Sequence, residues 1–341
     1  MIRQESDLSI PGKCFIAGEY LALSGGPTLV AALEPRFVLR AKQIEYSIPG
    51  FSEGENGKNP FHPKSLAGRW WLEHKKFYQQ FNLSFFDPHL GKGGLGGSTA
   101  EFALLHGLMD VKLSLCEEAQ SQFDLRKMWS DYRAISSSDG IKPSGADLIG
   151  QVNGHLTMFD RNKGRINQFS WLFQNLGFML FRTNKKLVTH EYLQELGDFS
   201  SLGFEEAMAK IIESLVKVDA RTFVDGINEY ATELLDLGFV AEHTQNILEK
   251  IKSPEVLAKK GCGAMGADVI CLIDRPGEDS RKTIVEAMNA LGCTLVATEH
   301  SLTGGLRAEV LENSHIESTS QSLKIETLMD FKADSSRGVR I

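Results

Sequence analysis

The sequence holds no apolar run near the ~20 residues that a membrane-spanning helix needs, and its opening, MIRQESDLSIPGK, lacks the apolar core of a secretory leader. The expectation is a cytoplasmic protein that makes no membrane contact. Cysteine is scarce, with five in 341 residues, at positions 14, 116, 262, 271 and 293, and no Cys-x-x-Cys pair. An odd, scattered set provides neither a disulfide framework nor a zinc site and suits a reducing compartment. The nine histidines are equally dispersed, without His-Glu-x-x-His or a His/Cys cluster at ligand spacing, so no protein-bound transition metal is expected. A Gly-x-Ser-x-Gly elbow is missing, as are internal repeats and low-complexity tracts. Basic residues do not predominate either: 37 Lys and Arg against 44 Asp and Glu leave a net charge of −7. That balance argues against broad binding of nucleic acid or anionic membranes. Phosphate would have to be met by a local cluster of donors.

What is present is an ordinary globular composition, 42% hydrophobic and 24% charged, with chain enough for two domains. Residues 7–41 read as strands broken by Gly/Pro turns. LAGRWWLEHKKFYQQF (66–81) reads as an amphipathic helix with Trp70 and Trp71 in the core rather than flanking a base. Helices are expected from Ser98 to Met109 and over 116–134, and QVNGHLTMFD (151–160) is expected to be extended. LGFMLFRT (176–183) opens a second half, which places the domain boundary between 1–175 and 176–341. In that half Phe204, Met208, Ile211, Leu215 and Val216 share one helical face, and Phe223, Ile227, Tyr230 and Leu234 share another. Strands at ADVICLI and TLVATEH bracket a further helix. Mixed elements without strict alternation imply an α+β protein.

Three glycine-bearing segments and one carboxylate carry the chemistry. In GKGGLGGSTAEFALLHGLM (91–109) the glycines let the backbone approach a ligand, and the helix that follows offers free N–H groups and a positive dipole end. Ser98 and Thr99 sit where a hydroxyl caps the helix or ligates a phosphate-bound metal. A flexible turn before a capped helix is the plain alternative. Gly91-x-Gly93-x-x-Gly96 also matches a dinucleotide fingerprint, although neither the strand context nor the required acid is evident. A nicotinamide-dependent oxidoreductase therefore stays open at this point. No Gly-Lys-Ser/Thr closes the loop as a Walker A motif. PGKCFIAGEYLALSGGP (11–27) puts Lys13 after a Pro-Gly turn, in reach of a phosphoryl group or hydroxyl, and Glu19 in a turn. Taken alone, both read as solvated surface residues. KKGCGAMGADVICLI (259–273) is a loop of small residues entering a buried strand, suited to a ligand or to tight packing. In KPSGADLIGQVNG, Asp147 follows a Pro-Ser-Gly turn and leads an apolar stretch. A carboxylate there can orient or deprotonate a hydroxyl, or serve as an Asx turn or helix cap.

Taken in order, these segments resemble the motifs of the GHMP kinases, the galacto-, homoserine, mevalonate and phosphomevalonate kinases. Pro11-Gly12-Lys13 through Gly18-Glu19-Tyr20 is similar to the first motif, and Gly94-Leu95-Gly96-Gly97-Ser98-Thr99-Ala100 to the phosphate loop. Gly263-Ala264-Met265-Gly266-Ala267-Asp268 is similar to the third motif, and Pro143-Ser144-Gly145-Ala146-Asp147 to the PSGxD segment of the mevalonate branch. The resemblance implies a domain like ribosomal protein S5 domain 2 followed by a ferredoxin-like domain, with the active site between them. It implies that Gly94, Leu95, Gly96, Gly97, Ser98 and Thr99 hold the triphosphate of ATP, with Mg²⁺ on Ser98 and, as the upstream carboxylate, Asp131. Asp147 would face the acceptor hydroxyl, and Lys13 would keep Asp147 ionised and stabilise the transferring phosphoryl group. Glu19, Gly263, Ala264 and Met265 would line the acceptor. Lys185 and Lys186, within Arg182–Thr189, would receive its acidic end. The acceptor implied is phosphomevalonate, with mevalonate as the alternative; a second copy of the chain in a homodimer is the one protein partner considered. A nucleotide-binding protein without catalysis and a decarboxylating kinase are further readings of the same scaffold. Departures are Gly97 for the first serine of the loop, Met265 and Ala267 for glycines, and Asn153-Gly154-His155 for a double glycine.

Overall fold

The computed structural model describes residues 4–44, 57–116, 123–136, 142–185 and 202–312. Two long strands, β1 (Gln4–Ala17) and β2 (Pro27–Gln43), form an antiparallel pair whose register shifts between Pro11 and Gly12. The irregularity therefore falls at the turn that precedes Lys13. The short helix α1 (Leu21–Ser24) connects the two strands. On the far edge of β2 pair both β3 (Phe81–Phe86) and β4 (Leu156–Asp160), and β4 continues to β5 (Arg165–Phe169). The free edge of β1 is taken by β10 (Arg307–Glu312), which returns from the far end of the described chain and completes a six-stranded sheet.

A second, four-stranded sheet runs β7-β8-β6-β9, from β6 (Gly177–Arg182), β7 (Val256–Cys262), β8 (Val269–Asp274) and β9 (Thr294–Thr298). Every described strand pairing is antiparallel. The α+β class holds, and the βαβ unit that a dinucleotide fingerprint requires is not what surrounds the glycine loop.

Helices cover these sheets on the faces their apolar spacing dictates. Against the first sheet pack α2 (Leu66–Glu73), α3 (Lys75–Tyr78), α4 (Gly97–Cys116), α5 (Leu125–Ser136) and α6 (Ala146–Asn153), burying Trp70, Trp71, Phe102, Met128 and Leu148 with Leu8, Phe37 and Leu39. Both tryptophans are core residues, as their spacing indicates. In β6, side chains alternate between two cores. Phe178 and Leu180 meet α7 (Leu202–Lys217) and α8 (Ala220–Asp236), while Met179 and Phe181 meet α9 (Glu242–Lys250) and α10 (Glu278–Ala290). The first of these cores also takes in Cys14, Ile16, Leu29 and Leu156, so one apolar cluster joins both sheets.

Two local expectations change. Gln151–Asn153 are helical rather than extended, because α6 runs on from the left-handed Gly145 and stops only at Gly154, φ 87°. Val216, expected on the apolar face, is 67% exposed. No described helix is long and apolar enough to cross a membrane.

Candidate active site

The glycine loop is anchored at its centre. Leu95 is buried, and its carbonyl accepts a 2.9 Å bond from the Lys13 amide, which ties the loop to β1. Gly91, Gly93, Gly94 and Gly96 all have positive φ, a region that side-chain-bearing residues rarely adopt. At Gly96 a Cβ would also lie 2.7 Å from Lys13 Cγ, so the loop and the lysine stem share space that only glycine leaves. α4 starts immediately afterwards. Ser98 is exposed at its mouth and Thr99 is buried.

Asp147 occupies the first turn of α6. Its approach is fixed by α5: Trp129 Nε1 donates to Ser144 O at 3.1 Å, and Arg133 Nε donates to Pro143 O at 2.9 Å. Gly145 is left-handed, and a Cβ there would sit 2.5 Å from Trp129. Asp147 Oδ2 accepts from Thr99 Oγ1 at 2.7 Å and from Tyr132 OH at 3.1 Å. Burial, and then the Asp147 charge, push the Tyr132 phenol well above its usual range, so it stays a donor. Behind them Gln151, fully buried, donates to Pro11 O at 2.7 Å and locks α6 to the turn before Lys13. Neither Tyr132 nor Gln151 was singled out by the sequence: Tyr132 sits in a helical pattern that marks it only as one more residue of its helix, and Gln151 in a segment expected to be extended.

The structure therefore brings Lys13, Gly94–Thr99 and Asp147 together, with one difference from expectation. Among the described residues no ion pair joins Lys13 to Asp147; the carboxylate is held by two hydroxyls, and Lys13 Nζ lies 4.6 Å from the centre of the Phe15 ring.

Two expected site residues are engaged by other side chains. Asp131, read as a metal ligand, accepts from Lys127 Nζ at 2.6 Å and contacts His106 Nε2 at 3.0 Å. His106 is seven residues along α4 from Thr99, roughly 10 Å at 1.5 Å per residue. His106 also meets Asp110 at 3.2 Å and stacks on Trp70, so Asp131 belongs to an ionic network on the far part of α4. Glu19, read as lining the acceptor, is buried against Lys260, Nζ to Oε1 2.8 Å, with the two side chains 7% and 1% exposed. Burial raises the Glu19 carboxyl against the pull of Lys260.

In the third motif Gly263 and Ala264 are partly exposed, whereas Met265 is buried and left-handed at φ 53°. Its amide donates to Tyr20 OH at 3.0 Å, so the first and third motifs are bonded to each other. Asp268 abuts the glycine loop: a Cβ on Gly94 would lie 3.2 Å from Asp268 Cβ. Between them is a cleft of about 200 Å³ lined by Lys92, Gly93, Gly94, Arg182, Asn184, Lys185 and Asp268. Lys186 lies outside the described residues.

These residues fit a polyphosphate. The cradle is one that a Cβ would obstruct, a helix mouth faces it, and three cations share the cleft with a single carboxylate. For a divalent ion the donor at the helix mouth is the exposed Ser98 hydroxyl. No group of three or more His, Cys, Asp or Glu that could hold a metal occurs among the described residues.

No model of a known protein family matches the sequence, and no curated protein matches it. The fold does have counterparts, and it is that of the GHMP kinases. Streptococcus pneumoniae phosphomevalonate kinase aligns with TM-score 0.65 at 18% identity, over 86% of this chain and 98% of that one. Another structure of that enzyme, in complex with phosphomevalonate and AMPPNP, aligns with TM-score 0.65 at 16% identity, over 86% and 98%. L. major mevalonate kinase in complex with R-mevalonate gives TM-score 0.61 at 17% identity, over 85% of this chain and 94% of that one.

Proposed function

We propose that this chain is a small-molecule kinase that transfers a phosphoryl group from ATP to the hydroxyl of a mevalonate-pathway acceptor, phosphomevalonate by preference. The observation that carries this is the juxtaposition of a half-buried carboxylate, Asp147, with the first turn of the helix that follows a glycine cradle, through the 2.7 Å Thr99–Asp147 bond. It sets an acceptor-facing group beside a phosphate-holding one, and positioning of that kind is most of what phosphoryl transfer requires of a protein.

In this mechanism the backbone of Gly94–Gly97 and the helix mouth hold the anionic phosphates, and the Ser98 hydroxyl would hold the metal that accompanies them. Mg²⁺-ATP, when bound, brings the phosphoryl group and most of the neutralising charge. Asp147 orients the acceptor hydroxyl and takes its proton as the oxygen bonds to the γ-phosphorus, while the bond from that phosphorus to the bridging oxygen breaks and ADP leaves with the electron pair. Thr99 and Tyr132 fix the carboxylate in one rotamer, and Lys13 places positive charge beside the transferring group. Gly263 and Ala264 form part of the acceptor wall, and Lys185 attends its acidic end. The cationic cleft favours an acceptor that already carries a phosphate. Mevalonate, which has a carboxylate alone, is the second reading, favoured by the PSGAD sequence.

A coupled ADP-release assay over phosphomevalonate, mevalonate, galactose and homoserine decides the matter. Turnover confined to phosphomevalonate is the expected result. Turnover with mevalonate alone shifts the assignment, and silence with all four acceptors removes the kinase assignment.

A further inference from the structure

Arg182 is the last residue of β6 and is 7% exposed. Its Nε and Nη2 atoms are buried and have no hydrogen-bond partner. An orphaned guanidinium is unusual. Arg281, only half-buried on α10, meets Asp274 at 2.8 Å and Glu299 at 2.9 Å. Removing a cation from water without a partner is strongly unfavourable, and buried donors are almost always satisfied by something. Here the missing partner has a place to sit, because Arg182 lines the cleft together with Lys92, Lys185 and the backbone of Gly93 and Gly94. Burial lowers the Arg182 pKa and Asp87 opposes that shift, yet neither Asp87 nor the Asp268 of the cleft wall engages Nε or Nη2.

A planar fork of N–H donors matches two oxygens of one phosphate or carboxylate. Two flanking lysines raise the local charge beyond what a single carboxylate neutralises. We propose that Arg182 and Lys185, on the wall of the cleft opposite the glycine loop, form a phosphoryl-binding subsite together with Lys92 of the loop itself. It rests on the kinase assignment for its ligand class, a phosphate ester, which is either the polyphosphate of the nucleotide or a phosphate already on the acceptor. The subsite also accounts for the small residues at 93 and 94, since a ligand gripped by Arg182 lies against their backbone.

Titration calorimetry on the full chain separates the two sources. Wild type and Arg182→Gln are titrated with Mg²⁺-AMPPNP, with phosphomevalonate and with mevalonate. Loss of one charge-assisted bidentate contact is worth roughly 10- to 100-fold in affinity. We expect that loss for one phosphorylated ligand and none for mevalonate, a selectivity that a merely structural arginine would not show. Weakening on the AMPPNP arm identifies the nucleotide, and weakening on the phosphomevalonate arm identifies the acceptor. Wild-type affinity on both arms, or equal weakening of all three ligands, overturns the subsite. Should Arg182→Gln fail to fold, as judged by its thermal melt, Arg182→Lys serves in its place. It keeps the charge without the fork and must still lose several-fold on the same single arm; wild-type binding by that variant overturns the proposal equally. These are binding measurements. Absence of ADP release would remove the kinase assignment and leave them standing, whereas a silent Arg182 in an active enzyme would remove only the subsite.

Discussion

Thr99 and Asp147 lie 48 residues apart in the chain and 2.7 Å apart in space, hydroxyl to carboxylate. The bond joins the helix that follows the glycine loop to the helix that carries the proposed acceptor-facing group, so the two cannot be displaced independently. Asp147→Ala is expected to abolish ADP release while leaving AMPPNP affinity within about two-fold, since general acid–base groups typically contribute ~10²–10⁴ in rate. Thr99→Val and Tyr132→Phe each remove one of its two donors, and each should lower kcat about five-fold, from ~1 kcal/mol per hydrogen bond, with little change in KM. Steady-state kinetics with the acceptor found in the screen checks both. An Asp147→Ala enzyme with near-normal turnover would sink the assignment.

Asp131 should behave as a structural carboxylate. Although burial opposes it, Lys127 and His106 hold this group below the usual carboxylate range. Its folded pKa is thus depressed, and its contribution to stability is present above the unfolded value and lost as the pH falls through the folded one. Asp131→Asn is expected to lower stability by ~1–3 kcal/mol at pH 7, and by less on acidification, with the Mg²⁺ dependence of turnover unchanged. Denaturant melts at two pH values and a Mg²⁺ titration of activity test this, and a large rise in the Mg²⁺ requirement would return Asp131 to the metal.

The Glu19–Lys260 pair predicts an asymmetry between single and double variants. Lys260→Met leaves Glu19 buried without its partner and should cost ~3–5 kcal/mol. The Glu19 carboxyl then favours its neutral form in the fold, so the loss grows as the pH rises above the unfolded value and shrinks below it. Combining Lys260→Met with Glu19→Leu removes both charges and is expected to recover most of the stability. Urea melts at pH 4.5 and 7.5 provide the comparison. A double variant no better than the single one would contradict it.

Glu101, one turn beyond Ser98 on α4, is raised to about 7 by burial and then by the nearby Asp87. Its folded pKa lies above the unfolded value, so the stability linked to it is present below about 4.5 and lost as the pH rises through about 7. Because the group is partly exposed, the effect is discounted to ~1–2 kcal/mol. Glu101→Gln should raise the melting temperature at pH 8 and leave it nearly unchanged at pH 4.5. An equal shift at both pH values would show that the carboxyl is not titrating in this window.

Local features were legible in the sequence where one residue type answers to one local demand. The positive φ values of the loop called for glycine, and the helical faces of α7 and α8 followed from apolar spacing. Partnerships across the chain were not legible. Asp131 and Tyr132 are neighbours in sequence but about 100° apart around α5. One therefore turns to His106 and the other to Asp147, and composition gives no reason to prefer the second. Lys259 and Lys260 likewise look like a solvated pair. Strand alternation sends them to opposite sides: Lys259 reaches the Leu248 and Ile251 carbonyls, and Lys260 reaches Glu19. The cleft around Arg182 was foreshadowed as a basic segment, yet its opposite wall, Gly93 and Gly94, comes from almost ninety residues earlier.

The pairing of β10 with β1 has a bearing on synthesis. A strand near the amino end waits for one that emerges from the ribosome some three hundred residues later. Until then the outer edge of β1 stays open, a template for stray pairing with other nascent chains. Emergence of β10, rather than of the strands that precede it, is therefore the event that seals the larger sheet.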